Sequence, residues 1–248
     1  MDGYDDTSYG EAFADVYDEW YEGISDIDVT VTTLLDLSGR GPVLELGVGT
    51  GRLAVPLALA GASSDLSVVG LDTSEAMLTR LAARDPDGLV GVERTSMEGA
   101  LPGGPYALVY VAYNTLFNLT DRDRQAACFS AVADALVPGG RFVVEAFVPW
   151  TGTDEGSDVT VRSLTADRVV LSVSVRRPDL QIAEGQFVEI SESGGVRLRP
   201  WSIRYAAPDE LDEMAKAAGL TLEHRWESFA RDPFTGDSER HVSVYRCP

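Results

Sequence analysis

Lysine is all but missing from this chain: Lys216 is the only one among 248 residues, and 20 basic side chains face 40 acidic ones for a net charge of −20. Proteins that grip phosphate backbones draw most of their affinity from clustered cations that release counterions, so no nucleic-acid partner is expected. Cysteine is equally scarce. Cys128 and Cys247 form no CxxC and no metal-ligand spacing, which points away from a disulfide framework or a metal centre and towards a reducing, cytoplasmic interior. No apolar run approaches the roughly 18 residues of a membrane span; the richest, 53–62, is too short. The start, MDGYDDTSYGEAF, is acidic and lacks the basic and apolar regions of a signal peptide, so no membrane partner is expected either. The two histidines, His224 and His241, alternate with Leu222, Trp226, Ser243 and Tyr245 on strand-like segments and read as structural.

What is present is an ordinary apolar content of 44%, enough for one large domain and too little chain for two. A helix is expected over 10–22, where Tyr9, Phe13, Tyr17 and Tyr21 recur every fourth residue and share a face. A second is expected over 28–37, ending at the breaker cluster Ser38-Gly39-Arg40-Gly41-Pro42. Strands at 43–46, 67–71, 89–93, 106–112 and 141–147 then alternate with helices at 52–60, 74–84 and a segment N-capped by Thr120. Such alternation predicts an α/β fold with a doubly wound parallel sheet. Beyond Pro149 the period changes to two over 158–206, as in Val169, Leu171, Val173 and Val175, which marks antiparallel strands. Pro208 opens a last helix, and 221–229 with 240–247 read as a closing hairpin.

The segment Val43-Leu44-Glu45-Leu46-Gly47-Val48-Gly49-Thr50-Gly51-Arg52-Leu53 carries the chemistry. A buried strand runs into three alternate glycines and a helix, where backbone must turn sharply and approach a ligand with no Cβ in the way. The spacing is GxGxG; the third slot of the dinucleotide fingerprint GxGxxG holds Arg52. Glu45 before the glycines would repel a pyrophosphate and suits a cationic ligand, such as a sulfonium bearing an ammonium group. Asp72 follows at the tip of the next strand, placed to accept hydrogen bonds from both hydroxyls of a ribose. A nicotinamide dehydrogenase is disfavoured by both features.

LELGVGTGRL, GLDTSEAML and LVPGGRFVVE resemble the glycine motif, the acidic motif and the late strand motif of class I S-adenosylmethionine (SAM) dependent methyltransferases. The resemblance covers nearly the whole chain and implies a Rossmann-like seven-stranded sheet of order 3-2-1-4-5-7-6 carrying an antiparallel β-rich cap insertion. It divides one domain into a helical lid (1–40), a SAM-binding core (41–150), the cap (151–207) and a closing helix and hairpin (208–248). The cofactor it implies is SAM, with S-adenosylhomocysteine as product. Carried over by position, Gly47 and Gly49 underlie the methionine portion beside Glu45, and Asp72 holds the ribose. Thr73 and Met77 flank the adenine, and Thr95-Ser96-Met97-Glu98 stands where relatives read Gly-Asp-Met. Met97 then packs on the adenine, while Ser96 replaces the usual aspartate.

The stretch Tyr110 to Leu119 should hold the acceptor. It lacks the Asn-Pro-Pro-Tyr of base-amine methyltransferases and the acidic set of metal-dependent catechol enzymes, so no metal is required. It is similar to the Asn-Ser-Phe-x-x-Leu turn of small-amine N-methyltransferases. The N-terminal Phe13-Ala14-Asp15-Val16-Tyr17-Asp18 resembles small bacterial N-methyltransferases of antibiotic pathways, and within them the lincosamide branch, whose acceptor is a proline-derived ring nitrogen. The resemblance implies a small-molecule amine as partner, with Asn114, Phe117 and Tyr9 at the substrate. Tyr17 would bond the cofactor's methionyl end, Tyr9 would either orient the amine and help remove its proton or only pack with the aromatic stripe on the sheet, and Phe117 would shape the pocket wall and favour a cation by its ring face. A small-molecule O-methyltransferase, which needs a stronger base, and a non-catalytic SAM-binding protein remain alternatives, and a homo-oligomer stays open.

Overall fold

Burial on both faces is what turns the short apolar runs into a central parallel sheet. The computed structural model describes residues 1–64, 66–149, 152 and 155–248. Three helices come first: α1 (Ser8–Phe13), α2 (Tyr17–Trp20) and α3 (Ile27–Ser38). The wound unit follows as β1 (Val43–Leu46), α4 (Ala54–Gly61), β2 (Val68–Asp72), α5 (Glu75–Arg84), β3 (Val90–Arg94), β4 (Tyr106–Val111), α6 (Arg122–Ala135) and β5 (Leu136–Phe147). Then come β6 (Gly156–Leu164), β7 (Arg168–Arg177), β8 (Ile182–Ser191) and β9 (Gly195–Arg204), and finally α7 (Pro208–Ala217), β10 (Thr221–Trp226) and β11 (Arg240–Arg246).

The seven-stranded sheet has the order β3-β2-β1-β4-β5-β11-β10, with β11 antiparallel to β5. That is the expected topology, the closing hairpin supplying the last two strands. All four residues of β1 are buried. Leu44 and Leu46 join Phe129, Phe142 and Tyr245 in one core layer, while Val43 and Val48 join Leu34 and Leu57 in the other. His241 is fully buried on β11 with Nδ1 2.9 Å from the Ser243 hydroxyl, and burial lowers its pKa to about 4. It is a neutral core side chain, as its strand pattern indicated. No helix of the described residues is long and apolar enough to cross a membrane.

The second sheet is antiparallel, in the order β6-β7-β8-β9. It enters after the carboxyl end of β5 and packs on α1 and α2. The buried Arg199 guanidinium joins Asp15 (2.6 Å) to Glu189 (2.9 Å), and Phe187 stands edge-on to Phe13 and Trp20. The boundary expected at 150/151 falls outside the described residues.

Several expected bounds moved. The single helix over 10–22 is two short ones, because the chain turns at Ala14–Val16 where Asp15 is drawn to Arg197 and Arg199. Each half keeps its aromatic pair: Tyr9 stacks on Phe13, and Tyr17 lies against Tyr21. Asp121, not Thr120, caps α6, accepting from the Asp123 and Arg124 amides. The strand expected over 141–147 begins already at Leu136, directly after α6, where Leu136 pairs with Tyr106 and Cys247 bonds Gly139 and Gly140. α4 begins at Ala54 because Gly51 adopts φ +77° and delays it.

Candidate active site

Three turns at the carboxyl ends of the parallel strands open a cleft of about 730 Å³, counting its mouth. Ligands of open α/β sheets bind at such a place. The first turn is the glycine run. Gly47, Gly49 and Gly51 have φ of +67°, +55° and +77°, a region other L-residues enter at a cost of about 1–2 kcal/mol. Gly47 and Gly49 line the cleft.

Asp72 closes β2 and lines the cleft with Leu71, Thr73 and Met77. Its Oδ2 accepts from the Gly49 amide and its Oδ1 from the Ser74 amide, both at 2.9 Å. Burial raises its pKa, and the Ser74, Gly49 and Thr73 amides pull it back. Asp72 therefore both holds the glycine turn and lines the cleft as an acceptor-only carboxylate. Thr95, Ser96 and Met97 form the next wall, and Thr115, Asn118 and Leu119 the third turn.

The roof is the N-terminal segment. Tyr4, Asp5, Asp6, Tyr9, Gly10 and Tyr17 all face the cleft. Three contacts dock the segment: the Thr73 hydroxyl donates to the Asp6 carbonyl at 2.8 Å, Glu11 accepts from the Ser74 hydroxyl and the Ala76 amide, and Arg124 pairs with Asp6 (2.6 Å). A Cβ on Gly10 would sit 2.3 Å from that of Ser74; only glycine lets α1 come so close.

Of the residues expected at the site, the structure brings Tyr9, Tyr17, Gly47, Gly49, Asp72, Thr73, Met77, Ser96 and Met97 together. Four stand outside the cleft lining. Glu45 is buried and its Oε2 accepts from the Tyr110 hydroxyl at 2.7 Å. Glu98 forks with Arg124 at 2.5 and 2.6 Å, so it holds the arginine that ties down Asp6. Phe117 is fully buried against Phe147. The Asn114 side chain accepts from the Phe147 amide at 2.7 Å and joins β4 to β5. Both strand-end residues Tyr113 and Asn114 have positive φ, +47° and +65°, and the Tyr113 amide donates to Glu145.

Thr115 and Asn118 were missed although they lie in the stretch read for the acceptor. The chain there forms a 3-10 turn, Thr115–Asn118, in which residues three apart eclipse. Thr115 and Asn118 therefore share the cleft side while Leu116 and Phe117 go to the core. Tyr4, Asp5 and Asp6 carried no periodic signal; only the docking of the N-terminus places them.

Burial sets the electrostatics. It pushes the Glu45 carboxyl up to about 8, against the Tyr110 hydrogen bond and Arg52, which pull down. Tyr9 and Tyr17 are both raised above the ordinary phenol range, chiefly by burial. Both are neutral phenols near neutral pH. The Tyr9 hydroxyl donates to Tyr21 at 3.0 Å, which leaves its own oxygen free to accept. Among the described residues no group of three or more His, Cys, Asp or Glu side chains could hold a metal ion.

The Glu45 shift has a measurable consequence. With the folded pKa above the unfolded one, the native state holds a proton that the unfolded chain has released between about 4.5 and 8. Stability is therefore lost as pH rises through that window, by at most about 1.4 kcal/mol per pH unit for one proton. Glu45→Gln should flatten the fall, and calorimetric melting of both proteins from pH 5 to 9 checks it. Parallel slopes would contradict the assignment.

The family model for a methyltransferase domain matches residues 43–140. The CcbJ methyltransferase from Streptomyces caelestis is 39% identical, with 98% of this chain and 99% of that one covered and a TM-score of 0.88. Similar in fold alone are CalS10, a SAM-bound amino pentose methyltransferase from Micromonospora echinaspora involved in calicheamicin biosynthesis (21% identity, 94% and 97% covered, TM-score 0.67), and the sugar N-methyltransferase KedS8 from Streptoalloteichus (20%, 92% of each chain, TM-score 0.67). No match is found among curated proteins. The fold and cleft define a class I methyltransferase, and the chain belongs to the SAM-dependent methyltransferase family.

Proposed function

We propose that this enzyme methylates a nitrogen of a small-molecule amine, and that the acceptor is the proline-derived ring nitrogen of a lincosamide antibiotic precursor. The observation that carries the first part is the chemistry of the cleft wall. Its tyrosines are held neutral by burial, and no histidine or lysine is among the lining residues. A hydroxyl acceptor needs a base to become nucleophilic, whereas a neutral secondary amine carries its own lone pair and asks mainly for positioning. Asp5 and Asp6 at the roof favour the arrival of a cation, and transfer into the cleft favours its neutral form by desolvation. The lincosamide assignment rests on the N-terminal Phe13-Ala14-Asp15-Val16-Tyr17-Asp18 signature and on the full-length likeness to a Streptomyces methyltransferase.

The residues present fit the cofactor. The glycine cradle admits backbone contact to a methionyl chain, Asp72 brings a carboxylate to the cleft wall for a ribose, and Leu71, Met77, Met97 and Leu119 offer an apolar slot for a base. When bound, SAM supplies an electrophilic methyl group on a sulfonium. Tyr17, which lines the cleft, would hold its methionyl end. Tyr9, whose proton is committed to Tyr21, accepts the amine N–H and so turns the nitrogen lone pair towards the methyl. Phe117 acts from the core, fixing the 3-10 turn that presents Thr115 and Asn118.

Incubating the protein with SAM and secondary-amine, primary-amine and phenol candidates, then locating any added methylene unit by mass spectrometry and NMR, decides between readings. Methyl on nitrogen is expected; methyl on oxygen alone would assign the enzyme to the rival class, and SAM binding without turnover on any candidate would favour a binding protein. Tyr9→Phe should lower turnover at saturating SAM by roughly tenfold, the worth of one positioning hydrogen bond, with an unchanged pH profile. An unaffected rate would remove Tyr9 from the site.

A further inference from the structure

As the last member of an aromatic stripe, Tyr21 is expected to pack and nothing more, and it does not line the cleft. The break of that stripe into two short helices gives it another place. Its hydroxyl lies 3.0 Å from that of Tyr9, which does line the cleft. The Tyr21 ring is buried and held on three sides. Tyr17 lies against it with 4.7 Å between centroids, and Tyr113 stands edge-on at 5.6 Å. The Arg162 guanidinium of β6 sits 5.4 Å from its centre and is itself anchored on the Trp20 carbonyl at 2.8 Å. Tyr9 is fixed in turn by stacking on Phe13 at 4.4 Å. Burial raises the Tyr9 phenol well above its ordinary range, so its proton is always present and must point somewhere.

We infer that Tyr21 is a positioning residue for methyl transfer: by accepting the Tyr9 proton it makes Tyr9 meet the acceptor nitrogen with its oxygen and not with its O–H. The inference rests on the amine reading above. The direction of this one hydrogen bond decides its effect on rate. A phenol carries a single proton and accepts through its oxygen. Given to the amine, that proton would occupy the lone pair that must attack the methyl group. Such a bond favours the ground state alone and slows the reaction. Given to Tyr21, it leaves the Tyr9 oxygen to accept the amine N–H. As the nitrogen–carbon bond forms and the sulfur–carbon bond breaks, the sulfonium becomes a neutral thioether and positive charge grows on nitrogen. The N–H then becomes a charge-assisted donor, and such bonds are roughly twice as strong as neutral ones. The contact therefore tightens in the transition state, which is what raises turnover. The nitrogen keeps its proton through the transfer and yields it to water on release. A neutral tertiary amine has no N–H to offer, so the site takes primary and secondary amines and stops there.

Steady-state turnover of prolinamide, a cyclic secondary amine, at saturating SAM tests this in wild type, Tyr9→Phe, Tyr21→Phe and the double variant. Tyr21→Phe keeps the ring and its three contacts, so its circular dichroism spectrum and its affinity for S-adenosylhomocysteine should match wild type. Its kcat should fall by at least about tenfold, the order of one hydrogen bond, with the prolinamide KM unchanged or lower, because the freed Tyr9 proton turns to the lone pair. In that background the Tyr9 hydroxyl no longer helps. Tyr9→Phe/Tyr21→Phe should therefore match Tyr9→Phe alone and run no slower than Tyr21→Phe. Losses that multiply in the double variant, a loss carried by KM, or a weakened affinity for S-adenosylhomocysteine in Tyr21→Phe would give Tyr21 a packing role and overturn the inference. Conversion of N-methylprolinamide to its quaternary ammonium by wild type overturns it as well. A wild type that methylates oxygen alone, or leaves prolinamide untouched, overturns the amine reading itself and takes this inference with it.

Discussion

Replacing Asp72 by alanine should weaken binding of S-adenosylhomocysteine by at least a hundredfold in titration calorimetry. The carboxylate is expected to hold both ribose hydroxyls, and charge-assisted hydrogen bonds are worth about 1.5–3 kcal/mol each, while about 1.4 kcal/mol is a factor of ten. The structure adds a second cost. Asp72 also accepts from the Gly49 and Ser74 amides, so its loss frees the glycine turn and the first turn of α5 together. Asp72→Asn separates the two effects, because an amide oxygen still accepts while its NH₂ opposes one partner. It should retain more affinity and more stability than alanine. Intact affinity in the alanine variant would remove the ribose from this position.

Gly47→Ala should abolish measurable cofactor binding and lower the melting temperature by several degrees. The added Cβ would stand 2.3 Å from the Thr115 methyl, and the backbone sits at φ +67°. The φ penalty alone is about 1–2 kcal/mol, and for a chain of this size about 1 kcal/mol moves the midpoint by some 2–4 °C; the clash adds to it. Adding Thr115→Ser removes the opposing methyl and should return part of the stability, leaving the φ cost. Gly49 offers the contrast. Its Cβ would meet nothing within 4 Å, so Gly49→Asn, a residue that tolerates this region, should melt close to wild type. Equal destabilisation of the Gly47 and Gly49 variants would rule out the Thr115 contact as the cause.

The Gly47 contact also shows where reading the chain runs out. That glycine was needed at 47 is a local matter, visible from a strand, a turn and a helix in sequence. That its missing Cβ makes room for Thr115, 68 positions on, is a fact of β1 lying beside β4. The same division holds for Glu45. Its place before the glycines suggested a partner for a cation, yet alternation along β1 points it to the α3–α4 side, where Tyr110 from β4 takes its oxygen. Asn114 and Phe117 belong to the right turn but the wrong side of it, because strand period and 3-10 period put different residues on the cleft. Glu98 reaches the site only through Arg124.

What the amino-acid order determined by itself was everything set within one or two turns of backbone: the βα alternation, the glycine cradle, Asp72 at the strand tip and the change to period two after Pro149. Those follow from φ, ψ and side-chain periodicity, which a short window contains. Only the packed molecule decided which residues roof the cleft, which carboxyl groups burial pushes up, and which face of the β6–β9 sheet stays exposed. Alternation tells two faces apart without saying which is covered; here Phe187 meets Phe13 and Trp20 and Arg199 meets Asp15 on one face, while Val161, Leu164, Val196 and Leu198 stay exposed on the other.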